Sequence, residues 1–257
     1  MTAFALGLPR TRAHLLFERN LMVYRRTWLT IISGFFEPLF YLFSLGLGLG
    51  HYVGSVNGVE YAAFIAPGLL AASAMNGAVY DSTINVFFKL RYGKVYDAML
   101  ATPIGTTDVA VGETGWALFR GLLYSTGFII TAAALGLVHS WWGLLALPAT
   151  VVIGYSFAGL GMAASTFMRS WQDFDLIQLV QLPMFLFSTT FYPLSVYPVG
   201  VQWIVRFSPL YHAIELVRSF TLGTVGWHTT LNLLYLAVLG TAGMLLARRR
   251  MAGLLLS

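Results

Sequence analysis

GLLALPATVVIGYSFAGLGMAASTFM, residues 143–168, carries no charged side chain from end to end. A helix needs about 20 apolar residues to cross the hydrocarbon of a bilayer, and this stretch supplies them. It is also rich in small residues: Gly154, Ala158, Gly159, Gly161, Ala163 and Ala164. In lipid no hydrophobic force draws helices together, and close backbone contact over small side chains is what holds them. The stretch reads as a membrane-spanning helix with another helix lying close against it.

The composition around it agrees. Of 257 residues, 58% are hydrophobic and 10% charged, and the mean hydropathy is +0.74. A soluble domain is nearer half apolar and a quarter charged. The chain therefore lacks the polar surface of an ordinary soluble domain, and it is neither a disordered tail nor a coiled coil. About 149 hydrophobic residues (58% of 257) leave room for roughly five to seven crossings at this span length and little else. The fold expected is an all-α integral membrane protein forming one transmembrane domain over 1–257. Soluble chemistry or energy supply then belongs to another chain. With no cysteine, disulfides, thiolate catalysis and iron–sulfur ligation are excluded.

Working outward, span one runs from about Thr30 to Gly50, with Glu37 and Pro38 inside it, and span two from about Tyr61 to Phe88, with Pro67 and Asp81. Asn57-Gly58 between them is a turn signal. Span three runs from about Ala110 to Leu137 and holds Glu113 and Arg120; span five runs from about Leu176 to Leu194; the last runs from about Thr229 to Ala247. Residues 1–28 mix Arg with Leu, Phe, Met and Tyr and suit an amphipathic helix in the interface, in preference to a fraying tail. The first apolar run is too long for a signal h-region and is expected to be a retained anchor. Residues 89–108 form the longest polar link, with a short helix expected around Lys94–Thr102.

Residues 195–225 decide the count. They are moderately apolar but contain Pro198, Gly200, Arg206, Pro209, Glu215, Arg218 and Gly223. Basic residues favour the cytoplasmic side. Six crossings with an internal N-terminus place Arg10, Arg12, Arg19, Arg25, Arg26, Lys89, Arg91, Lys94, Arg169, Arg248, Arg249 and Arg250 inside, twelve of 15. A seventh crossing at 201–222 would move the Arg248–Arg250 triplet outside. It would also bury three charges at roughly 2.5–3.5 kcal/mol each near midplane. Six spans with both termini cytosolic are expected, and 195–225 become an external re-entrant or interfacial hairpin. Arg206, Glu215 and Arg218 are then expected near the headgroups or paired with one another, Glu215 and Arg218 being three apart, close enough for a helical ion pair worth a few tenths of a kcal/mol when exposed.

The sequence carries none of the usual motifs of soluble catalysis. Gly93-Lys94 lacks the earlier glycine and the following Ser or Thr of a P-loop. No zincin, nucleophile-elbow or dinucleotide fingerprint occurs. His212 and Glu215 are three apart, but zinc takes at least three protein ligands and the other histidines are scattered. The net charge of +5 sits in blocks beside apolar runs, which indicates topology and anionic lipid, not nucleic acid. Glu37, Asp81, Glu113 and Arg120 are expensive inside a membrane and mark either structural charges near an interface or the lining of a cavity. Phe35, Phe36, Phe40 and Tyr41, with Phe185, Phe187, Phe191 and Tyr192, give a broad aromatic surface that faces lipid, a partner helix or a lipid-like substrate.

Three segments carry a resemblance. The first is Leu16-Phe17-Glu18-Arg19-Asn20 to Tyr24-Arg25-Arg26-Thr27-Trp28, followed by Glu37-Pro38-Leu39-Phe40-Tyr41. The second is Lys94-Val95-Tyr96-Asp97-Ala98-Met99-Leu100-Ala101-Thr102-Pro103-Ile104. The third is Gln181-Leu182-Pro183-Met184-Phe185-Leu186-Phe187-Ser188, then Phe191-Tyr192-Pro193-Leu194 and Phe207-Ser208-Pro209-Leu210-Tyr211-His212-Ala213-Ile214-Glu215-Leu216-Val217-Arg218. Together they resemble the permease subunits of type-2 ABC exporters, nearest the nodulation lipooligosaccharide and daunorubicin-type drug exporters.

The resemblance implies a membrane subunit of the bacterial inner membrane that exports an amphipathic substrate: a lipid-linked saccharide, a lipid or a hydrophobic drug. Its partners would be two copies of an ABC ATPase, a second permease (identical or paralogous) and membrane lipid. ATP and Mg would be bound by the ATPase; catalytic, cofactor and metal residues are expected to be none in this chain. Lys94, Val95, Tyr96, Asp97, Ala98, Met99, Leu100 and Ala101 would be the coupling helix. Phe36, Glu37, Phe40, Tyr41, Phe187, Thr190 and Phe191 are candidates for the translocation path. Tyr192, Pro193, Pro209, Tyr211 and Glu215 would form the external gate. A membrane-embedded lipid-modifying enzyme and a proton-coupled transporter are the competing readings; neither clustered acid–base residues nor internal repeats speak for them.

Overall fold

The structure is a computed structural model that describes residues 12–26 and 36–255. Parts of two sequence expectations, the interfacial helix at 1–11 and 27–28 and span one at 30–35, lie outside the described residues. Helix α1 is Ala13–Arg26 and α2 covers 36–53, widened to π geometry over Leu42–Leu49. A two-stranded hairpin, Ser55–Val56 against Val59–Glu60, links α2 to α3. Asn57 (φ 53°) and Gly58 (φ 79°) are both left-handed, the conformation a two-residue hairpin turn requires. Helix α3 is Tyr61–Tyr92, α4 Val95–Leu100, α5 Thr106–Ala134 and α6 Trp141–Ser165. Then follow α7 (Asp173–Phe187), α8 (Val199–Phe207), α9 (Pro209–Leu222) and α10 (Trp227–Leu255).

Among the described residues four helices are long and apolar enough to cross a membrane: α3, α5, α6 and α10. Helix α7 has 15 residues, about 22 Å at 1.5 Å per residue and short of a 30 Å core. It ends seven residues before the expected Leu194, because Ser188, Thr189 and Thr190 turn the chain while buried in protein. Helix α3 instead overruns its expected end at Phe88 and carries Lys89 and Arg91 on a last turn of π winding, Phe88–Tyr92.

Helix α3 is the centre of the bundle. Its buried side chains between Ala62 and Ala71 pack with Phe128 of α5, Ile153 and Phe157 of α6 and Leu210, Ile214 and Val217 of α9 in one continuous core. The small residues of the 143–168 stretch do what their composition indicates. A Cβ on Gly159 of α6 would collide with the Gly240 carbonyl of α10, and one on Gly243 would meet the Gly159 backbone. The two helices touch backbone to backbone.

A second cluster closes the other end of the bundle. Leu16 (α1), Val86 (α3), Tyr96 (α4), Val109 and Ala110 (α5), Met162 (α6) and Ala247 and Met251 (α10) are buried together. Helix α1 is amphipathic as expected, yet its inner face does more than rest on a surface. A Cβ on Gly112 would lie 2.7 Å from the Leu16 Cβ and 3.0 Å from the Ala13 carbonyl, so α1 nests against α5. Leu15, Leu21, Met22 and Val23 face outward.

Residues 195–225 form two helices with a break at Ser208-Pro209. Pro209 suits the first turn of α9, where a missing N–H costs nothing. Helix α9 is sunk among α3, α6 and α10, with Leu210, Ala213, Ile214, Leu216 and Val217 buried. The Thr221 carbonyl accepts the His139 N–H at 3.0 Å, which sets the end of α9 beside the α5–α6 link. Helix α8 stays at the surface, with Val199, Trp203, Ile204 and Phe207 exposed.

Candidate functional site

A cavity of about 870 Å³ lies between α1, α2, α3, α5 and α7. Its α3 wall presents Ser73, Asn76, Tyr80 and Thr83, a polar stripe at helical spacing in an otherwise apolar span. Helix α7 answers with Gln178 and Gln181, and Gln181 Nε2 donates to Asn76 Oδ1 at 2.6 Å. Tyr41 and Phe185, in edge contact at 5.7 Å, complete an aromatic corner.

Two ion pairs stand side by side at the α1 end of this cavity. Lys89 Nζ is 2.6 Å from Glu113 Oε2, and Asn20 of α1 donates to the same carboxylate at 3.2 Å. One step along, Arg120 Nη1 is 3.1 Å from Asp81 Oδ1 and donates to the Tyr24 hydroxyl at 2.9 Å. Asn85 bridges them, donating to Asp81 at 2.6 Å and to Tyr24 at 3.3 Å. The Arg120 guanidinium lies 5.2 Å from the Tyr24 ring and 5.7 Å from that of Tyr124, within cation–π range. Burial raises the Tyr24 phenol above its usual range, against the Arg120 charge, so Tyr24 stays a neutral hydroxyl. Of the four membrane charges weighed from the sequence, Asp81, Glu113 and Arg120 are paired in the bundle and Glu37 lines the cavity opposite them. Structural pairing and cavity lining thus occur in one place.

Helix α1 also reaches the short link before α5. The Arg12 backbone N–H donates to Asp108 Oδ1 at 3.1 Å, and Arg12 Nη1 donates to the Pro103 carbonyl at 2.5 Å. Helix α4 sits just ahead of that link, with Lys94, Asp97, Ala98 and Ala101 exposed, Val95, Met99 and Leu100 half-buried and Tyr96 fully buried. Burial, helped by the nearby Glu113, pushes the Tyr96 phenol well above its usual range. Tyr96 is therefore the residue that roots α4 in the bundle, not part of an outward contact face.

Of the candidate path residues, Glu37 and Tyr41 line the cavity. Phe36 and Phe40 stack on each other at 5.8 Å and are exposed on the outside of α2. Phe187 is exposed at the end of α7, while Thr190 and Phe191 are buried in the turn beyond it, Thr190 against the Gly68 backbone and Phe191 against Phe185 at 5.2 Å. The cavity residues that sequence reasoning passed over, Tyr24, Asn76, Tyr80, Asn85, Tyr124, Gln178 and Gln181, are polar side chains inside apolar runs.

At the opposite end Tyr192 is exposed, Pro193 and Tyr211 are half-buried, and Pro209 opens α9. Glu215 Oε1 accepts from Arg218 Nη1 at 2.5 Å. The pairing expected of Glu215 and Arg218 is present, but Arg218 is not the exposed partner of a surface pair. Its guanidinium is buried, donates to the Thr189 carbonyl at 2.8 Å and the Phe64 carbonyl at 3.3 Å, and lies 4.2 Å from the Phe64 ring. The reason is the Ser188–Thr190 turn. Thr189 is left-handed (φ 65°), its carbonyl is not used by a helix, and buried backbone acceptors demand donors. Arg206 does remain exposed, beside the Trp203 ring at 5.4 Å. His212 is occupied by Asn232 Oδ1 at 2.7 Å and the Arg206 carbonyl at 2.9 Å, and the described residues contain no cluster of three metal-ligating side chains.

Comparison with known proteins places these features in a wider group. Residues 11–222 match the family model described as ABC-2 type transporter. The chain is 37% identical over 241 residues to nodulation protein J of Rhizobium leguminosarum bv. viciae, covering 91% of this chain and 93% of that one. It is 35% identical over 219 residues to nodulation protein J of Rhizobium meliloti (84% and 83%) and 27% identical over 210 residues to the inner membrane transport permease YadH of Escherichia coli (79% and 78%).

Proposed function

The chain belongs to the ABC-2 type transporter family, and from that membership we propose that it is the membrane-spanning subunit of an ATP-driven exporter that moves an amphipathic substrate out across the inner membrane. The observation that carries the reading is that the matched residues, 11–222, take in every wall of the cavity. A cavity with an aromatic corner, a polar stripe and paired charges suits a molecule with an apolar tail and a polar head. In this reading a separate ABC ATPase, in two copies, binds ATP and Mg. A second permease completes the assembly.

In this reading α2 and α7 with its following turn join α3, α5, α6 and α10 as six crossings. Both termini are cytosolic and α8–α9 is an external hairpin. Helix α4 is the ATPase contact, through its exposed side at Lys94, Asp97, Ala98 and Ala101. Arg12 ties α1 to the link after α4, and Asn20 and Tyr24 tie α1 to the ion pairs at the cavity. A push on α4 therefore reaches the cavity through α1.

The test is reconstitution. The permease, copurified with an ABC ATPase and placed in proteoliposomes, should move a fluorescent amphipath only with hydrolysable ATP. Transport without nucleotide, driven by a proton gradient, would overturn the reading.

A further inference from the structure

Helices α6 and α10 end side by side, at the end of the bundle that holds α1 and α4. There Arg250 of α10 is fixed in place. Its Nε donates to Thr166 Oγ1 at 3.1 Å, and its guanidinium lies 3.7 Å from the centre of the Phe167 ring. These contacts hold the guanidinium plane and leave Nη1 and Nη2 without a hydrogen-bond partner among the described residues. Arg169, three residues beyond Thr166, is exposed, as are Arg248 and Arg249. Among the described residues no acid forms an ion pair with any of the four. The neighbouring acids are Asp173 and Asp175 in the first turn of α7. One oxygen of Asp173 is taken by the Arg169 and Ser170 backbone N–H groups, at 2.6 and 3.1 Å. Four cations against two acids leave a surplus of two positive charges.

Depth decides which anion meets these cations. From Trp227 to Ala247, α10 has 21 residues, about 30 Å at 1.5 Å per residue, which is the thickness of the hydrocarbon. The arginines therefore stand at the level of lipid phosphates, beside the exposed Phe167 ring. Toward the middle of the membrane Leu234, Val238 and Leu245 are exposed on α10. They recur at intervals of four and seven, one face of a helix, and Arg248 continues that face three residues beyond Leu245. An apolar stripe headed by cations matches acyl chains headed by a phosphate. The ring-backed guanidinium of Arg250 has a planar fork of N–H groups that suits two oxygens of one phosphate. A zwitterionic lipid would bring its own cation to a place already positive; an anionic lipid brings none.

We propose that Arg169, Arg248, Arg249 and Arg250, with Phe167, form a binding site for the phosphodiester head of an anionic phospholipid whose chains lie along the exposed face of α10. The exporter reading supplies only the side of the membrane, the cytosolic leaflet; the binding chemistry does not depend on it.

The test titrates the full-length permease in detergent micelles with dioleoyl phosphatidylglycerol or dioleoyl phosphatidylcholine and counts retained lipid by native mass spectrometry. The phosphatidylglycerol should bind about fivefold or more tighter. One basic residue at an anionic lipid surface is worth about fivefold in affinity, so Arg250→Gln and Arg248→Gln should each weaken phosphatidylglycerol by about that factor and leave phosphatidylcholine unchanged. Arg206→Gln, the same loss of charge at the opposite end of the bundle, should change neither. Arg248 makes no hydrogen bond or ion pair among the described residues, so its variant carries the test if Arg250→Gln, which gives up Thr166, folds poorly. Equal binding of the two lipids, or Arg248→Gln behaving as Arg206→Gln does, would overturn the site. Displacement of the lipid by glycerol phosphate, which has the head and no chains, would overturn the lipid in favour of a free phosphate. Loss of the lipid when the ABC ATPase joins would overturn it in favour of an acidic surface of that partner. Binding is read without ATP, so selective lipid binding by a permease that shows no ATP-dependent transport would overturn the exporter reading and leave the site standing.

Discussion

Arg218→Ala is the perturbation for which the geometry sets the clearest magnitude. The guanidinium satisfies four acceptors from three places: Glu215 Oε1 on its own helix, Thr189 Oγ1 and the Thr189 carbonyl in the turn after α7, and the Phe64 carbonyl near the start of α3. Removing it leaves the buried Thr189 carbonyl unpaired, at about 1–3 kcal/mol, takes a second donor from the Phe64 carbonyl, and strips Glu215 of its counter-ion. Glu215 is one-third exposed, so water recovers part of that last loss. Breaking a buried pair on one side costs about 3–5 kcal/mol, and the two routes overlap. For a chain of this size that corresponds to roughly 6–20 °C in thermal midpoint. Arg218→Lys keeps the charge but not the fork and should fall between. The assay is the loss of the monodisperse peak on heating in detergent, read for wild type, both Arg218 variants and Glu215→Gln. A midpoint for Arg218→Ala within about 2 °C of wild type, less than 1 kcal/mol on the same scale, would refute the view that this side chain pins the turn to α3.

Other consequences follow from named contacts. Tyr96→Asp should break the α1–α4–α10 cluster and lower folded yield, whereas Ala98→Asp, on the exposed side of α4, should leave folding intact and weaken copurification with the ATPase. The reverse pattern would mean α4 is seated otherwise. Gly240→Val should force α6 and α10 apart at Tyr155 and Ser156 and destabilise the protein by about 1–3 kcal/mol as an overpacked contact; an unchanged melt would refute that close approach. Cysteines placed at Asn57 and Thr102, both exposed, should label from opposite faces of the membrane with an impermeant maleimide. Labelling of both from the outside would end the six-span topology.

Much of the fold was legible because membrane helices announce themselves by length and apolarity. The 143–168 stretch and the cores of spans two and three are helices long and apolar enough to cross a membrane, as expected. The misfits share a cause. Helix α3 runs on past Phe88 because Lys89 finds Glu113 within the protein, so a charge did not end the helix as it would against lipid. Helix α7 stops early because the buried turn at Ser188–Thr190 is fed by Arg218 from α9, 29 residues later. Hydropathy is a local quantity, and neither partner is local. The same holds for Arg218 itself, whose spacing to Glu215 is visible in the sequence while its contacts with Thr189 and Phe64 are not.

The candidate site was more legible than the aromatic runs suggested. Of the large aromatics in those runs, Tyr41 and Phe185 line the cavity while Phe36, Phe40, Phe187 and Phe191 do not; lipid and partner helices use aromatics as readily as a substrate path does. Polar residues inside spans are the sharper signal, since each is costly there. Ser73, Asn76, Tyr80 and Thr83 recur at intervals of three and four, one face of a helix. The charges carry a further pattern. Along span two the order is Asp81 then Lys89, and along span three Glu113 then Arg120. Consecutive spans run antiparallel, so the acid of each meets the base of the other only if the two separations match. At about 1.5 Å per residue they are about 12 Å and about 10.5 Å, and the π winding of α3 between Asp81 and Tyr92 shortens the longer one. Sign and spacing together therefore specify Asp81–Arg120 and Lys89–Glu113, and with them the register of the two helices that wall the cavity.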